Sequence, residues 1–204
     1  MFKHLLALLL LMSCVSQAAA AQSDSENRAY KMPAYDPSFV VSREVYQKSV
    51  DYYNLNYDKL ANREKFVVID FSLHASKARL LYLDIANKSF ASYRVAAGRG
   101  SDPGGDGYAT KFSNENDSKM SSLGAYLTLD SYVGQHGYSL RLRGLDGTND
   151  NAEKRAIVMH PASYVSEADK RAGRSWGCPA LDPSISRELI DKIKNGVIIF
   201  AAAK

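Results

Sequence analysis

The stretch Arg155–Leu181, RAIVMHPASYVSEADKRAGRSWGCPAL, contains a predicted strand, a predicted turn and two residues with reactive side chains. An apolar run, Ala156–Met159, predicts a β-strand that delivers His160 at its end. Seventeen residues separate this histidine from Cys178. The cysteine follows Ser175-Trp176-Gly177, where glycine favours a tight turn because it adopts backbone conformations that other residues avoid. The stretch therefore predicts a histidine at a strand end and a cysteine in a turn.

The sequence on both sides of this stretch predicts a mainly β fold of the α+β class, with a leading helix and a C-terminal helix. Ser42 is a typical helix cap, and the first helix is predicted from there to about Leu60. Asp182 and Pro183 open the second helix, with a capping residue followed by a proline in the first turn. A β-sandwich and a mixed sheet both fit this order of elements. Apolar runs predict strands at 65–71, 79–85, 89–96, 125–132, 138–143, 155–160 and 197–201.

One face of the first helix carries a stripe of large side chains at helical spacing. Such a stripe is typical of a helix that packs against a domain rather than of a ligand site. We therefore predict a docking helix. The stripe consists of Val41, Val45, Ser49, Tyr53, Tyr57 and Leu60.

Residues 98–122 form a long stretch rich in glycine, serine and asparagine. Loops of this length inside a domain are usually functional or mobile. A lid over the site is one hypothesis for this loop, and hydrogen exchange is the measurement that tests it.

The N-terminus has the three parts of a secretory signal. Lys3 precedes an apolar run, Leu5–Met12, and a small-residue stretch, Ser16–Ala21, follows. The apolar run is too short to span a bilayer as a permanent anchor. We therefore predict a signal peptide over 1–21 and a secreted or periplasmic protein of the cell envelope, without a transmembrane anchor after processing. A lipid anchor at Cys14 stays the alternative, because a small residue precedes this cysteine at the end of the apolar run.

The composition is that of an ordinary globular protein and excludes two functional classes. The chain has 204 residues and a net charge of +4, which is enough chain for one domain behind a leader. We predict a linker and N-terminal helix over 22–62 and a catalytic domain over 63–204. The sequence has no basic run with interleaved aromatic residues, so it does not predict nucleic-acid binding. No set of His, Cys, Asp and Glu has the spacing of zinc ligands, so we expect no metal site.

Cys178 is the strongest candidate for a nucleophile. Cleavage after residue 21 leaves it as the only cysteine, and an unpaired thiol in an oxidising compartment is either reactive or an intermolecular partner. An ordinary thiol has a pKa of about 8.5, so His160 would have to take its proton and hold the thiolate as an ion pair. Backbone N–H groups at Gly177 and Cys178 would bind a developing oxyanion. The alternative is a buried cysteine that serves as a small apolar residue, which is the commoner role.

His160 and Cys178, together with three other stretches, resemble the L,D-transpeptidase catalytic domain, the YkuD-like family. The similarity is greatest to the branch known as the murein L,D-transpeptidase catalytic domain family, and it covers about residues 63–203. The stretches that carry it are VVIDFS at 67–72, KFSNENDSKMSSLGAY at 111–126 and GQHGYSLRLRGLDGTNDNAEKRAIVMH at 134–160.

The resemblance implies a mostly β catalytic domain with Cys178 as nucleophile, His160 as general base and Gly177 among the oxyanion donors. It implies acyl transfer on peptidoglycan stem peptides without a metal or an organic cofactor. The thiolate attacks the carbonyl of the third stem residue, D-Ala leaves, and an amine of another stem peptide resolves the thioacyl-enzyme into a cross-link. Two alternatives stay open: hydrolysis of the same bond by an L,D-carboxypeptidase or endopeptidase, and a non-catalytic wall-binding module.

Three positions depart from the family pattern. Trp176 stands where the broader family usually has His, Ala180 where it usually has Arg, and Pro161 where Gly often follows the catalytic His. Without that arginine, recognition of a substrate carboxylate needs another residue, for which Arg174 or Arg155 is a hypothesis. A turn-stabilising role for His136 is as reasonable as a role in binding. The residues predicted to bind substrate are Ser175, Trp176, Arg174 and His136.

Overall fold

The computed structural model describes residues 28–204. The predicted signal peptide and Cys14 lie outside the described residues. Contacts divide the chain after Met32, and Pro33–Lys204 is a unit of its own that contains every element below. In chain order these are α1 (Arg43–Asn56), a 3-10 helix (Tyr57–Lys59), β1 (Lys65–Asp70), β2 (Leu80–Asp84), β3 (Ser89–Tyr93), β4 (Ala97–Gly98), β5 (Gly124–Gly134), β6 (Gly137–Gly144), β7 (Val158–Pro161), β8 (Arg174–Ser175), β9 (Ala180–Leu181), α2 (Pro183–Ile193) and β10 (Ile198–Ala202).

The strands of this unit form one large mixed sheet and one small sheet. The large sheet has the order β3-β2-β1-β10-β5-β6-β7-β9, and β4 pairs with β8 in the small one. The pairs β1–β10, β7–β9 and β4–β8 are parallel, and the others are antiparallel. The predicted class, mainly β with a leading and a C-terminal helix, is therefore confirmed, and of the two architectures the mixed sheet is the one observed.

The two helices cover opposite parts of the sheet. Five of the six residues of β1 are buried, since α1 packs on one side and the core fills the other. On the α1 side the rings of Tyr53 and Phe66 meet edge to face at 5.6 Å between centroids. On α2 the apolar face, with Leu189 and Ile193, joins the core cluster against β5, β6 and β7.

Both predicted helix starts are confirmed by their caps. The Ser42 hydroxyl accepts the Val45 N–H at 3.4 Å, and Asp182 accepts the Ser184 N–H at 2.7 Å. The six stripe residues of the first helix are all buried, which confirms the docking helix. The α-helix ends at Asn56, however, and the stripe continues into the 3-10 helix.

Three short strands were not predicted, and one predicted strand begins too early. Strands β4, β8 and β9 have two residues each, which is too short for an alternating pattern to appear. The predicted strand 155–160 starts at Val158 instead, because Ala156 has a left-handed backbone with a φ of 52°. His160 consequently lies inside β7, with Pro161 as the last residue of that strand.

Candidate active site

Pairing of β7 with β9 places the turn that carries Cys178 beside the strand that carries His160. The register matches His160 with Ala180 in the parallel ladder. Because Cys178 precedes Ala180 by two residues, the cysteine lies beside the beginning of β7. The N–H of Val158, the first residue of that strand, accordingly donates to Cys178 Sγ at 3.5 Å.

The thiol of Cys178 is half-buried and points at backbone groups. Its Sγ lies 3.8 Å from the Ala156 carbonyl oxygen, to which the thiol donates. Burial raises the pKa of the Cys178 thiol, while the Val158 N–H and the charge of Arg155 act to lower it. The net direction is upward, so the neutral thiol is the favoured form of the resting site.

His160 is oriented by the carbonyl of its own neighbour. Its Nδ1 lies 2.8 Å from the Pro161 carbonyl oxygen. A carbonyl only accepts hydrogen bonds, so Nδ1 carries the proton and Nε2 is the basic nitrogen. This contact supplies the orienting group that sequence alone could not assign.

The imidazole, like the thiol, favours its neutral form. Burial lowers the pKa of His160, the Pro161 carbonyl raises it, and His136 lowers it further. A lowered pKa on the base and a raised pKa on the nucleophile both oppose charge separation. Both shifts favour the neutral thiol and the neutral imidazole, whereas the sequence predicts an ion pair.

The turn before Cys178 is held by the Ser175 hydroxyl. Its Oγ accepts the Gly177 N–H at 3.0 Å and donates to the Cys178 carbonyl at 2.6 Å. Ser121 Oγ also donates to the Gly177 carbonyl at 3.1 Å. The Gly177 N–H is thus used inside the turn, whereas the Cys178 N–H has no acceptor among residues 28–204. Cys178 N–H is the better-placed oxyanion donor, and Ser175 shapes the turn.

Replacing Gly177 with alanine is expected to destabilise the protein by about 2 kcal/mol. Gly177 has a φ of 127°, and a Cβ there would lie 2.7 Å from the Met120 carbonyl oxygen. Urea unfolding of the purified variant measures the change. The matched control is Gly147→Ala, because a Cβ at Gly147 meets nothing within 4 Å. Equal stability of the two variants would show that the turn is not constrained as described.

Arg155 holds the long loop against this turn. Its two terminal nitrogens donate to the Ser113 carbonyl at 2.9 Å and to the Met120 carbonyl at 2.6 Å, with longer contacts to two serine hydroxyls of the same loop. Deeper in the loop, the buried Asp102 carboxylate accepts the Gly107 N–H at 3.1 Å. The loop 98–122 is thus tied at several points, and Arg155 is committed to it rather than to a substrate carboxylate.

Replacing Arg155 with methionine is expected to cost about 2 kcal/mol of stability, because loop carbonyls lose charge-assisted partners. Amide hydrogens of residues 113–122 should then exchange faster, which hydrogen-exchange mass spectrometry measures. Exposed Lys154, the preceding residue, gives the control variant Lys154→Met. Unchanged exchange in this loop, with Arg155→Met folded, would contradict the tethering role.

The other residues predicted to bind substrate have different surroundings. His136, in the turn between β5 and β6, stacks on His160 with ring centroids 4.5 Å apart and planes inclined by 27°. Trp176 is 69% exposed beside the nucleophile. Arg174 donates to the Asp102 carbonyl at 2.7 Å. Trp176 thus presents a free face to solvent, whereas Arg174 is held against the long loop.

Two residues near the nucleophile were not singled out from the sequence. The phenol of Tyr164 lies close enough for Cys178 to contribute to its pKa, which burial chiefly raises to about 12. Lys119 Nζ lies 5.1 Å from the centre of the Trp176 ring. Both lie within stretches quoted above, but their sequence spacing does not indicate that they approach the nucleophile. Within residues 28–204, no group of three His, Cys, Asp or Glu side chains could hold a metal ion, and no helix is long and apolar enough to cross a membrane.

Comparison with known proteins decides the family. The sequence profile of the L,D-transpeptidase catalytic domain matches residues 38–202. The chain belongs to the L,D-transpeptidase catalytic domain family. This membership confirms the predicted resemblance, and the matched region also includes α1. No curated protein matches the chain significantly.

Solved structures similar to this L,D-transpeptidase-family chain are distant in sequence. An L,D-transpeptidase from Mycobacterium smegmatis is 14% identical, with a TM-score of 0.43, and the match covers 69% of this chain and 59% of that one. An L,D-transpeptidase from Stackebrandtia nassauensis is 15% identical, with a TM-score of 0.41 and coverage of 72% and 60%. The cell shape determining protein Pgp2 from Campylobacter jejuni, as its K307A mutant, is 11% identical, with a TM-score of 0.44 and coverage of 71% and 49%. The match thus spans less than two thirds of each of these proteins.

Proposed function

We propose that this protein is a peptidoglycan L,D-transpeptidase of the cell envelope, with Cys178 as nucleophile and His160 as general base. The observation that carries the proposal is the pairing of β7, which contains His160, with β9, which follows the turn of Cys178, inside a domain of this family. The signal peptide that the sequence predicts over 1–21 supports an envelope location, where stem peptides are found.

The proposed first half-reaction forms a thioester on Cys178. Sγ attacks the carbonyl carbon of the third stem residue while the thiol proton moves to His160 Nε2, so both groups start neutral. The Cys178 N–H stabilises the oxyanion of the tetrahedral intermediate. His160 then returns the proton to the nitrogen of the terminal D-residue as the C–N bond breaks.

The second half-reaction transfers the acyl group to an amine. A stem-peptide amine attacks the thioester carbonyl, His160 takes the amine proton, and the thiolate leaves and is reprotonated. Trp176, exposed beside the turn, forms a wall of the acyl-donor cleft. His136 lies on the imidazole of His160 and is part of the same surface.

The experiment that tests the function is mass spectrometry of the products formed from purified tetrapeptide muropeptides by the mature protein. Cross-linked dimers, absent with Cys178→Ser, are the expected result. Tripeptide monomers in place of dimers would assign hydrolysis of the same bond, which is L,D-carboxypeptidase activity. Unchanged muropeptides would contradict both activities and favour a wall-binding module.

A further inference from the structure

The segment 118–121 of the long loop lies directly against the catalytic turn. Ser121 Oγ donates to the Gly177 carbonyl, and the Met120 carbonyl oxygen occupies the space where a side chain of Gly177 would begin. Lys119 directly precedes Met120, and its exposed side chain lies over the Trp176 ring. An ammonium group therefore lies over the exposed ring of the residue that precedes Gly177-Cys178.

The backbone of Lys119 is held in a conformation that suits glycine better than lysine. Its φ is 55°, in the left-handed region, which costs a residue with a Cβ about 1 kcal/mol. The Gly100 N–H donates to its carbonyl oxygen at 2.9 Å, and that oxygen leaves no room for a Cβ at Gly98. The surrounding loop thus imposes the conformation, and glycine at this position would be less strained. Strain of this kind is typical of functional segments.

Lys119, unlike Arg155 and Arg174, has its charged group available to bind an anion. Arg155 uses both terminal nitrogens on the loop, and Arg174 is engaged with the Asp102 carbonyl. The Lys119 ammonium, by contrast, has neither a hydrogen bond nor an ion pair among residues 28–204, and its contact is with the face of the exposed indole. An ammonium over an aromatic face retains donors for an anion on its other side.

We infer that Lys119, placed over Trp176, binds the free carboxylate of the terminal D-residue that leaves the acyl donor. This inference rests on the proposed function. When the attacked carbonyl lies at Cys178, the carboxylate of the next residue is one residue further along, about 4 Å away. Trp176 stands two residues before Cys178 in the same turn, and the Lys119 ammonium over its ring is the cation that we assign to this carboxylate. Lys119 thereby supplies the carboxylate recognition that Ala180 cannot provide at the position where the family usually has arginine.

This role makes the enzyme selective for donors with an uncapped C-terminus. The test compares two synthetic stem tetrapeptides, one ending in D-Ala acid and the other in D-Ala amide, by the rate of release of D-Ala or D-alaninamide. The wild-type protein is expected to prefer the acid. Lys119→Gly should lower kcat/KM for the acid about three- to tenfold, the range for a partly exposed charge pair, and bring the acid-to-amide ratio close to one.

The loop provides a matched control. Asp117 has a φ of 56° in the same loop, so Asp117→Gly relieves the same kind of strain without removing the ammonium, and it should keep the wild-type ratio. Lys119→Gln removes the charge at similar length and decides the question if the glycine variant does not fold. Lys119→Arg should keep the preference.

Two results would overturn the inference. A wild-type acid-to-amide ratio in both Lys119→Gly and Lys119→Gln would exclude carboxylate binding by this side chain. An equal loss on acid and amide would place the effect on another part of the substrate, such as a side-chain carboxylate of the third residue. If the wild-type protein released neither product, the proposed function itself would fail, and the role of Lys119 with it.

Discussion

Cys178→Ala is expected to abolish release of the terminal D-residue from a stem tetrapeptide, with a fall in kcat of about 10⁴-fold or more. Without Sγ there is no atom to form the thioester, and the remaining groups can only position the substrate. The variant should fold, since alanine differs from cysteine by one buried atom and costs about 1 kcal/mol. Release of D-Ala followed by mass spectrometry measures the effect.

Circular dichroism and thermal unfolding of Cys178→Ala provide the control for that loss. A folded variant that keeps activity within tenfold of wild type would remove Cys178 from the mechanism. The sequence-based alternative, a cysteine that only fills the core, predicts such an outcome. The Cys178 thiol accepts from the Val158 N–H and donates to the Ala156 carbonyl whether or not it is a nucleophile, so activity decides between the two roles.

His160→Gln is expected to reduce kcat/KM by about 10²- to 10⁴-fold, the usual contribution of a general base. Glutamine approximates the size of the imidazole but cannot take the thiol proton. His74→Gln is the matched control, because His74 bonds to Ser76 and to the Asp106 carbonyl away from the nucleophile. Loss of activity in both variants to the same degree would contradict a specific role for His160.

The pH dependence of the wild-type enzyme follows from the direction of the His160 shift. The basic form is the neutral imidazole, and burial lowers the pKa of His160 below its ordinary 6.5. As pH falls, kcat/KM should therefore decline with a midpoint below pH 6.5. His136→Phe keeps a ring over His160 but removes one lowering influence, so the decline should move to higher pH. If kcat/KM of the wild type already fell to half as pH was lowered to 7, a neutral imidazole in the resting site would be contradicted.

The chemistry of the site could be predicted from the sequence because it depends on residue types in a short segment. The sequence predicts a histidine after an apolar run, a cysteine after a glycine, and the helix caps at Ser42 and Asp182. The pairing of β7 with β9 could not be predicted, because β9 has only two residues and therefore shows no alternation of apolar and polar side chains. That pairing brings the strand of His160 beside the turn of Cys178.

The residues whose contacts could not be predicted from the sequence share one property. Arg155 and Lys119 act through a loop of irregular structure, where no periodicity links a side chain to its partner. The stacking of His136 on His160 depends on the turn between β5 and β6 meeting the end of β7. The direction of the pKa shifts of the thiol and the imidazole could not be predicted from the sequence either, because burial is a property of the folded site rather than of the residue type.

The central claim is that Cys178 carries the acyl group, and intact-protein mass spectrometry tests it most directly. The mature protein is mixed with a stem tetrapeptide without an acceptor amine, quenched in acid within seconds, and weighed before and after proteolysis. The account predicts a mass gain equal to the tetrapeptide minus D-Ala, attached to the peptide that contains Cys178. Consumption of the tetrapeptide with no adduct, or with the adduct on another residue, would contradict it.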